Sequence, residues 1–192
     1  MLPLRSSIGR EPGEPGGSVA PALGRAGGDA TMPAMNYELF MSAALGEARA
    51  AAAAGDRPEG AVAVLDEALV AAGHDEVVSS GDPTAHAVLV TLREVARRLG
   101  THSLRDVIVF SVSEPCPMCV GALLECDVDG LVYALADPVT GAAGSVVQLA
   151  QAKGLPRRLS VVSGILEADA ADLLADLAAD PRQAHGPAHA GR

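Results

Sequence analysis

The feature that most constrains the fold is an alternation of helical segments with short, apolar, β-branched runs along a chain of 192 residues. The first half of the chain predicts a helix at 36–54 closed by Gly55, strands at 60–65 and 68–72 joined by a hairpin turn at Asp66-Glu67, a turn at 79–84 and a helix at 84–99 ended by Gly100. The second half predicts strands at 107–112, 131–135 and near 159–162. These strands alternate with helices at 115–126, near 145–152 and near 166–178. Helices that alternate with buried strands predict a layered α/β domain.

Both ends of the chain lack this periodicity. Residues 1–34 are rich in Gly, Pro, Ser and Arg and predict a disordered tail, and residues 181–192 predict a second one. The folded domain is therefore expected at residues 35–180. No apolar run is long enough to span a bilayer, and the N-terminus does not resemble a signal peptide. With only three cysteines, we expect a cytoplasmic protein that makes no contact with a membrane.

Charge and aromatic content restrict the partners. The formal net charge is −10, and residues 1–34 contribute equal numbers of acidic and basic side chains, so residues 35–192 carry all of it. A general nucleic-acid binder usually presents a basic patch, and a single-strand binder needs stacking rings. Only 2% of the residues are aromatic. Direct binding of tRNA or another nucleic acid is therefore not expected.

The chemistry concentrates in the run Pro115-Cys116-Pro117-Met118-Cys119, which follows a predicted strand and opens a predicted helix. Two thiols three residues apart in a first helical turn point to one side. By itself, a Cys-x-x-Cys is a metal half-site, a redox pair or a coincidence.

A histidine upstream favours the metal site. His86 is predicted in the first turn of the preceding helix, and the first turns of successive helices lie at one sheet edge in parallel α/β domains. His86, Cys116 and Cys119 then form a three-ligand zinc site with a fourth position open. Cys126, the third cysteine, is interpreted as a small core residue rather than a ligand.

Three blocks of sequence resemble the cytidine/deoxycytidylate deaminase superfamily, and in particular its bacterial tRNA adenosine deaminase branch. They are GDPTAHA at 81–87, EPCPMC at 114–119 and ADPVTGAAGS at 136–145, and the resemblance extends over about residues 41–177. It implies a three-layer α-β-α fold around a central five-stranded mixed sheet, a bound Zn²⁺, and a homodimer or heterodimer. The PCPMC motif is also found in guanine deaminase-like members, so the motif does not identify the substrate.

Position 88 departs from the family pattern, and the family's reaction depends on the residue at that position. In the family, a glutamate two residues after the zinc histidine moves the protons of the zinc-activated water. Here the sequence reads His86-Ala87-Val88, and valine cannot accept or donate a proton. Loss of a general acid/base residue typically slows a reaction by about 10²–10⁴-fold.

Other residues at the expected pocket differ as well. Asp75 stands where the family often has an asparagine that contacts substrate, and the loop at 56–60, usually small and apolar, reads Asp-Arg-Pro-Glu-Gly. The residues that we expect to contact a small base or nucleoside are Asp75, Ala87, Glu114 and Pro115. Glu76 and Asp82 are further carboxylates that could border the pocket, although both suit solvated turns.

Two functions remain open from the sequence. The first is a catalytically degenerate zinc protein that serves as a partner or binding subunit beside an active deaminase-fold chain. The non-catalytic subunit of the eukaryotic heterodimeric tRNA adenosine deaminase is similar in having valine at the position of Val88. The second is an active zinc hydrolase that deaminates a nucleobase, nucleoside or small amidine by an altered proton path.

Overall fold

The computed structural model describes residues 35–179. The two predicted tails, 1–34 and 181–192, lie outside the described residues. Within the described range, none of the helices has the length and apolar character needed to cross a bilayer.

Five strands and five helices make up the described chain. Their bounds are α1 Tyr37–Ala54, β1 Gly60–Leu65, β2 Ala68–His74, α2 Val77–Ser80, α3 Ala87–Leu99, β3 Ile108–Ser113, α4 Pro117–Glu125, β4 Gly130–Leu135, β5 Ser160–Ser163 and α5 Glu167–Ala179. Local signals explain several of these ends. Asn36 caps α1 by accepting from the Leu39 N–H, and left-handed glycines at 55 and 100 end α1 and α3.

The strands form one mixed sheet in the order β2-β1-β3-β4-β5. β1 pairs antiparallel with both β2 and β3, whereas β3, β4 and β5 run parallel to one another. Asp66 and Glu67 both adopt positive φ in the tight turn between β1 and β2, which confirms the predicted hairpin. The parallel β3 and β4 require a crossover, and α4 provides it.

Apolar side chains on the two faces of the sheet pack against different helices. Ala61 and Ala63 of β1 face α3 and α4, whereas Val62 and Val64 face α1 and α5. The alternation follows from the period of two along a strand. The predicted three-layer α-β-α architecture with a five-stranded mixed sheet is thus confirmed.

The predicted helix near 145–152 is wrong. This segment forms a turn-rich loop with one isolated bridge between Ala143 and Gln148. Its amides are bonded outside the segment: Val146 and Val147 donate to the Gly141 carbonyl. The Leu149 N–H donates to the Ala142 carbonyl at 2.9 Å, whereas a helix over 145–152 would direct it to the Ser145 carbonyl.

A short helix, α2, lies where the sequence indicated only a turn. The Asp56 carboxylate accepts from the backbone N–H groups of Val78 at 2.6 Å and Ser79 at 3.0 Å. Such a cap comes from a residue more than twenty positions away, so local sequence signals do not reveal it.

Candidate metal centre and ligand pocket

Two helices each begin with a metal-ligand candidate. His86 is the N-cap of α3 and Cys116 is the N-cap of α4, both in extended backbone conformation. The sequence placed both residues inside a first helical turn, and the structure places each one residue before its helix. Neither side chain caps its own helix. Both are therefore free to turn toward a common point, where Cys119 of α4 joins them.

The three ligand atoms form a nearly equilateral triangle. His86 Nδ1 lies 3.7 Å from the Sγ atoms of both Cys116 and Cys119, and the two Sγ atoms are 3.7 Å apart. A tetrahedral zinc ion with ordinary bond lengths separates two sulfurs by about 3.8 Å and a sulfur from a nitrogen by about 3.6 Å. The spacing thus fits zinc, and among residues 35–179 this is the one cluster with metal-site geometry.

One of the two thiols is also prepared to act as a ligand. The hydrogen bond between Cys116 and Cys119 and the contact with His86 together lower the pKa of Cys116 to about 4, against the effect of burial. The same hydrogen bond and burial raise the pKa of Cys119. Cys116 is therefore a thiolate before any metal arrives, which is the form that zinc binds.

Ala87 and Val88 lie directly beside the triad. Both line the pocket in front of the three ligands, and each is only 4% exposed. Val88 also packs into the apolar core between the sheet and α3. The structure therefore places an aliphatic side chain at the position from which the family's glutamate acts.

Opposite the triad, the sheet edge presents polar side chains. The Asp75 N–H donates to the Glu59 carbonyl at 3.0 Å, so the two residues continue the β1–β2 pairing by one step. The β1–β3 register, extended by two residues, sets Glu59 opposite Ser113. Since Glu59 is two residues before Ala61, all three side chains belong to the face that packs on α3 and α4. All three line the pocket.

Burial governs the ionisation of the two carboxyl groups. It raises the pKa of Asp75, which is 1% exposed, against the hydrogen bond from the Val77 N–H. Burial likewise raises the pKa of Glu59, although Ser113 hydrogen-bonds this carboxylate and the Arg57 guanidinium lies 4.0 Å away. Arg57 is half exposed at the pocket mouth, so its attraction is screened by solvent.

Glu114 has a different role in the pocket wall. Its carboxylate accepts from the backbone N–H groups of Asp137, Ala143 and Ser145 at 2.8–3.1 Å, and from the Ser145 hydroxyl. Burial alone would raise the pKa of Glu114, but these hydrogen bonds lower it. Gly141 packs so closely on this carboxylate that a Cβ atom would lie 2.5 Å from it.

Glu114 therefore holds the loop at 137–145 in place. Although it lines the pocket, its oxygens are occupied by that loop. The carbonyl of its neighbour Pro115 accepts from the Ala142 N–H at 2.9 Å, which ties the loop to the start of α4. Pro115 also lines the pocket.

The remaining candidates lie elsewhere. The Asp82 carboxylate accepts from the Thr84 N–H and hydroxyl and lies 3.7 Å from the Arg93 guanidinium. Neither Asp82 nor Glu76 lines the pocket, and Cys126 is at the opposite end of α4. The sequence analysis named Glu59 only as part of the divergent loop at 56–60 and did not name Ser113; the register of β1 with β3, extended beyond the strand ends, brings both into the pocket.

Comparison with known proteins agrees with this geometry. The family described as the cytidine and deoxycytidylate deaminase zinc-binding region matches residues 35–135. The chain belongs to this family. The matched range of this deaminase-family member contains β1 to β4 and the three candidate zinc ligands, His86, Cys116 and Cys119.

Relatives are found by sequence and by structure. The tRNA-specific adenosine deaminase of Bacillus subtilis is 34% identical over 137 residues, which are 71% of this chain and 85% of that protein. A solved structure of a tRNA A34 deaminase superposes with a TM-score of 0.69 at 33% identity, covering 71% of this chain and 99% of that one. A guanine deaminase from Nitrosomonas europaea superposes with a TM-score of 0.64 at 26% identity, covering 77% and 87%. The fold is thus shared with deaminases named for different purines, and the matched zinc-binding region of the family contains the His86, Cys116 and Cys119 cluster.

Proposed function

We propose that this chain is a zinc-binding deaminase-fold subunit that holds a small base-like ligand but does not carry out the family's deamination by itself. The observation that carries this proposal is Val88 in the wall of the pocket, next to His86. The metal triad supports zinc binding independently, because the family's glutamate is not one of the ligands.

The proposed loss of activity follows from proton transfer. A zinc ion held by His86, Cys116 and Cys119 would supply an activated water molecule as the nucleophile. The reaction also needs a group that removes the water's proton and delivers it to the ring nitrogen and the leaving ammonia. An aliphatic side chain at 88 can do neither, and the expected loss in rate is about 10²–10⁴-fold.

The nearby carboxylates are mostly committed to other contacts. The Glu114 oxygens bind the loop at 137–145, and the Asp137 carboxylate accepts from the Val139 and Thr140 N–H groups at 2.8 and 3.0 Å. Asp82 stabilises a turn outside the pocket. None of these three groups is available to stand in for the missing glutamate.

A partner role is supported by exposed apolar side chains near the pocket. Met118 on α4 is 38% exposed, and Val139, Val146 and Val147 in the adjoining loops are 47–78% exposed. We propose that this surface packs against a second deaminase-fold subunit, either a copy of this chain or an active relative that carries the glutamate.

Direct binding of tRNA is not part of the proposal. Of the basic pair Arg157-Arg158, Arg157 is already engaged: its guanidinium donates to the Leu124 and Glu125 carbonyls and lies 2.7 Å from the Asp127 carboxylate. Phosphate binding depends on free cationic side chains.

The test is to purify the full chain, measure its zinc content by elemental analysis, and assay ammonia release from adenine, guanine, cytosine and their nucleosides. We expect one zinc ion per chain and ammonia release at least about 100-fold slower than that of the Val88→Glu variant. Ammonia release by the unmodified chain as fast as by that variant would overturn the proposed degeneracy. A chain that purifies without zinc, and takes none up on titration, would overturn the metal assignment.

One observation favours a second function, an active zinc hydrolase with an altered proton path. Glu59 places a carboxyl group of raised pKa in the same pocket that Val88 lines. If the unmodified chain releases ammonia, this second function predicts that Glu59→Gln abolishes the activity without reducing the zinc content. An equally active Glu59→Gln variant would exclude this proton path.

A further inference from the structure

The pocket in front of the triad has an unusual charge arrangement. Glu59 and Asp75 lie on adjacent strand ends, in cross-strand positions, with their side chains on the same face. Like charges in such positions repel each other and destabilise a sheet. Asp75 is nearly fully buried, and the Glu59 side chain is 19% exposed, so water screens this repulsion only in part.

A bound zinc ion would not balance these charges. Two thiolates from Cys116 and Cys119 neutralise the two positive charges of zinc, so the loaded triad is close to neutral overall. The remaining cation in the pocket wall is Arg57, which is half exposed and 4.0 Å from Glu59. Two inner carboxylates therefore face the ligand space with one solvent-screened cation at its mouth.

The hydrogen-bonding groups of the pocket also favour a ligand that donates hydrogen bonds. Asp75 stands where the family often has an amide that both donates and accepts, and an ionised carboxylate only accepts. Glu59 belongs to the loop at 56–60, which in the family is usually small and apolar. Each change introduces a carboxylate, which when ionised only accepts hydrogen bonds, so a ligand must supply the hydrogen-bond donors.

We propose that the pocket selects a planar cation of the amidinium or guanidinium type, whose N–H groups donate to the Glu59 and Asp75 carboxylates. This inference rests on the proposed function, since it names the class of ligand held at that same site. A flat amidinium presents N–H donors in one plane and matches carboxylate acceptors in geometry and charge. A neutral purine or pyrimidine can also donate N–H groups to a carboxylate, but it brings no positive charge to offset the two carboxylates.

The experiment uses two small probes of nearly equal shape, benzamidine and benzamide, titrated by calorimetry into the zinc-loaded full chain. Benzamidine is a cation at neutral pH, whereas benzamide is neutral. We expect benzamidine to bind at least about tenfold more tightly, because a hydrogen bond between charged groups contributes more than a neutral one. Equal affinities, or no binding of benzamidine to a chain with one zinc ion, would overturn the inference.

Isosteric variants of the two carboxylates test whether benzamidine binds between them. Glu59→Gln and Asp75→Asn should each weaken benzamidine by about tenfold and change benzamide by less than about twofold. Glu38→Gln, which removes an exposed acid from the first turn of α1, is the matched control and should change neither probe. Benzamidine affinity that survives the double variant would place the cation elsewhere and contradict the inference. Zinc content, measured for every variant, separates this outcome from failure of the metal site.

Discussion

The two walls of the pocket have diverged to different extents. On the helix side, His86, Cys116 and Cys119 keep the family's ligand pattern and the spacing that zinc requires. The other pocket residues, which form the substrate wall, differ from the pattern that the family resemblance implies: valine stands at position 88, where a glutamate is expected, and Glu59 belongs to a loop that is usually small and apolar. We therefore expect metal binding and proton transfer to be separable in this chain.

The separation has a structural cause. The ligands are fixed by the starts of α3 and α4, which pack in the core between the sheet and the helices. The altered residues project from strand ends and from one helical position, where a substitution changes the pocket without moving the triad. The substrate wall can therefore change while the metal wall keeps its geometry.

The largest expected effect is on the metal wall. Cys116→Ser should lower zinc affinity by more than about 100-fold, because losing a ligand costs more than losing a residue that supports one. Cys126→Ser is the matched control, and it should retain one zinc ion per chain because Cys126 lies outside the triad. Zinc content after dialysis against a weak chelator measures both. Stoichiometric zinc in Cys116→Ser would refute the ligand assignment.

A smaller effect is expected behind the substrate wall. Gly141→Ala should destabilise the protein by about 1–3 kcal/mol, because its Cβ atom would press on the Glu114 carboxylate and on the Asp137 carbonyl. Gly46→Ala is the control, since a Cβ atom there meets nothing within 4 Å in α1, and it should stabilise by about 0.5–1 kcal/mol. Urea unfolding gives both values. Equal shifts of the same sign would show that Glu114 does not clamp the loop.

Much of this arrangement follows from local sequence. Strand runs, the Asp66-Glu67 turn and the helix-ending glycines predict the elements, and family motifs predict the zinc triad. The failures share a physical reason, namely hydrogen bonds between distant residues. A helix is predicted near 145–152, yet the Leu149 N–H donates to the Ala142 carbonyl and the Ala150 carbonyl accepts from the Leu159 N–H, so both groups are bonded outside the segment. The position of Glu59 depends on strand register, which the sequence does not specify outside the strands.

The smallest expected effect is a dependence of benzamidine binding on pH, which involves the substrate wall. Burial raises the pKa of Glu59, so this carboxylate becomes protonated at a less acidic pH than an exposed one and loses its attraction for a cation. Benzamidine binding should therefore weaken as the pH falls, by about tenfold overall. The other titratable or charged groups that line the same pocket are Arg57, Asp75, His86, Glu114, Cys116, Cys119 and Asp137.

The control for this dependence is the Glu59→Gln variant, which should show a flatter pH profile than the unmodified chain. Zinc content is followed in parallel, because protonation of the metal ligands also releases the ion at low pH. Identical profiles for the two proteins would remove Glu59 from the explanation.

The separation of metal binding from proton transfer is tested most directly by the rate of ammonia release from Val88→Glu divided by that from the unmodified chain, both zinc-loaded, on the same bases and nucleosides. Restoring the carboxylate beside an intact triad should raise the rate by about 10²–10⁴-fold on at least one substrate. The zinc content of the two proteins should be equal. A ratio near one, with an unmodified chain that already turns over, would contradict the proposed degeneracy.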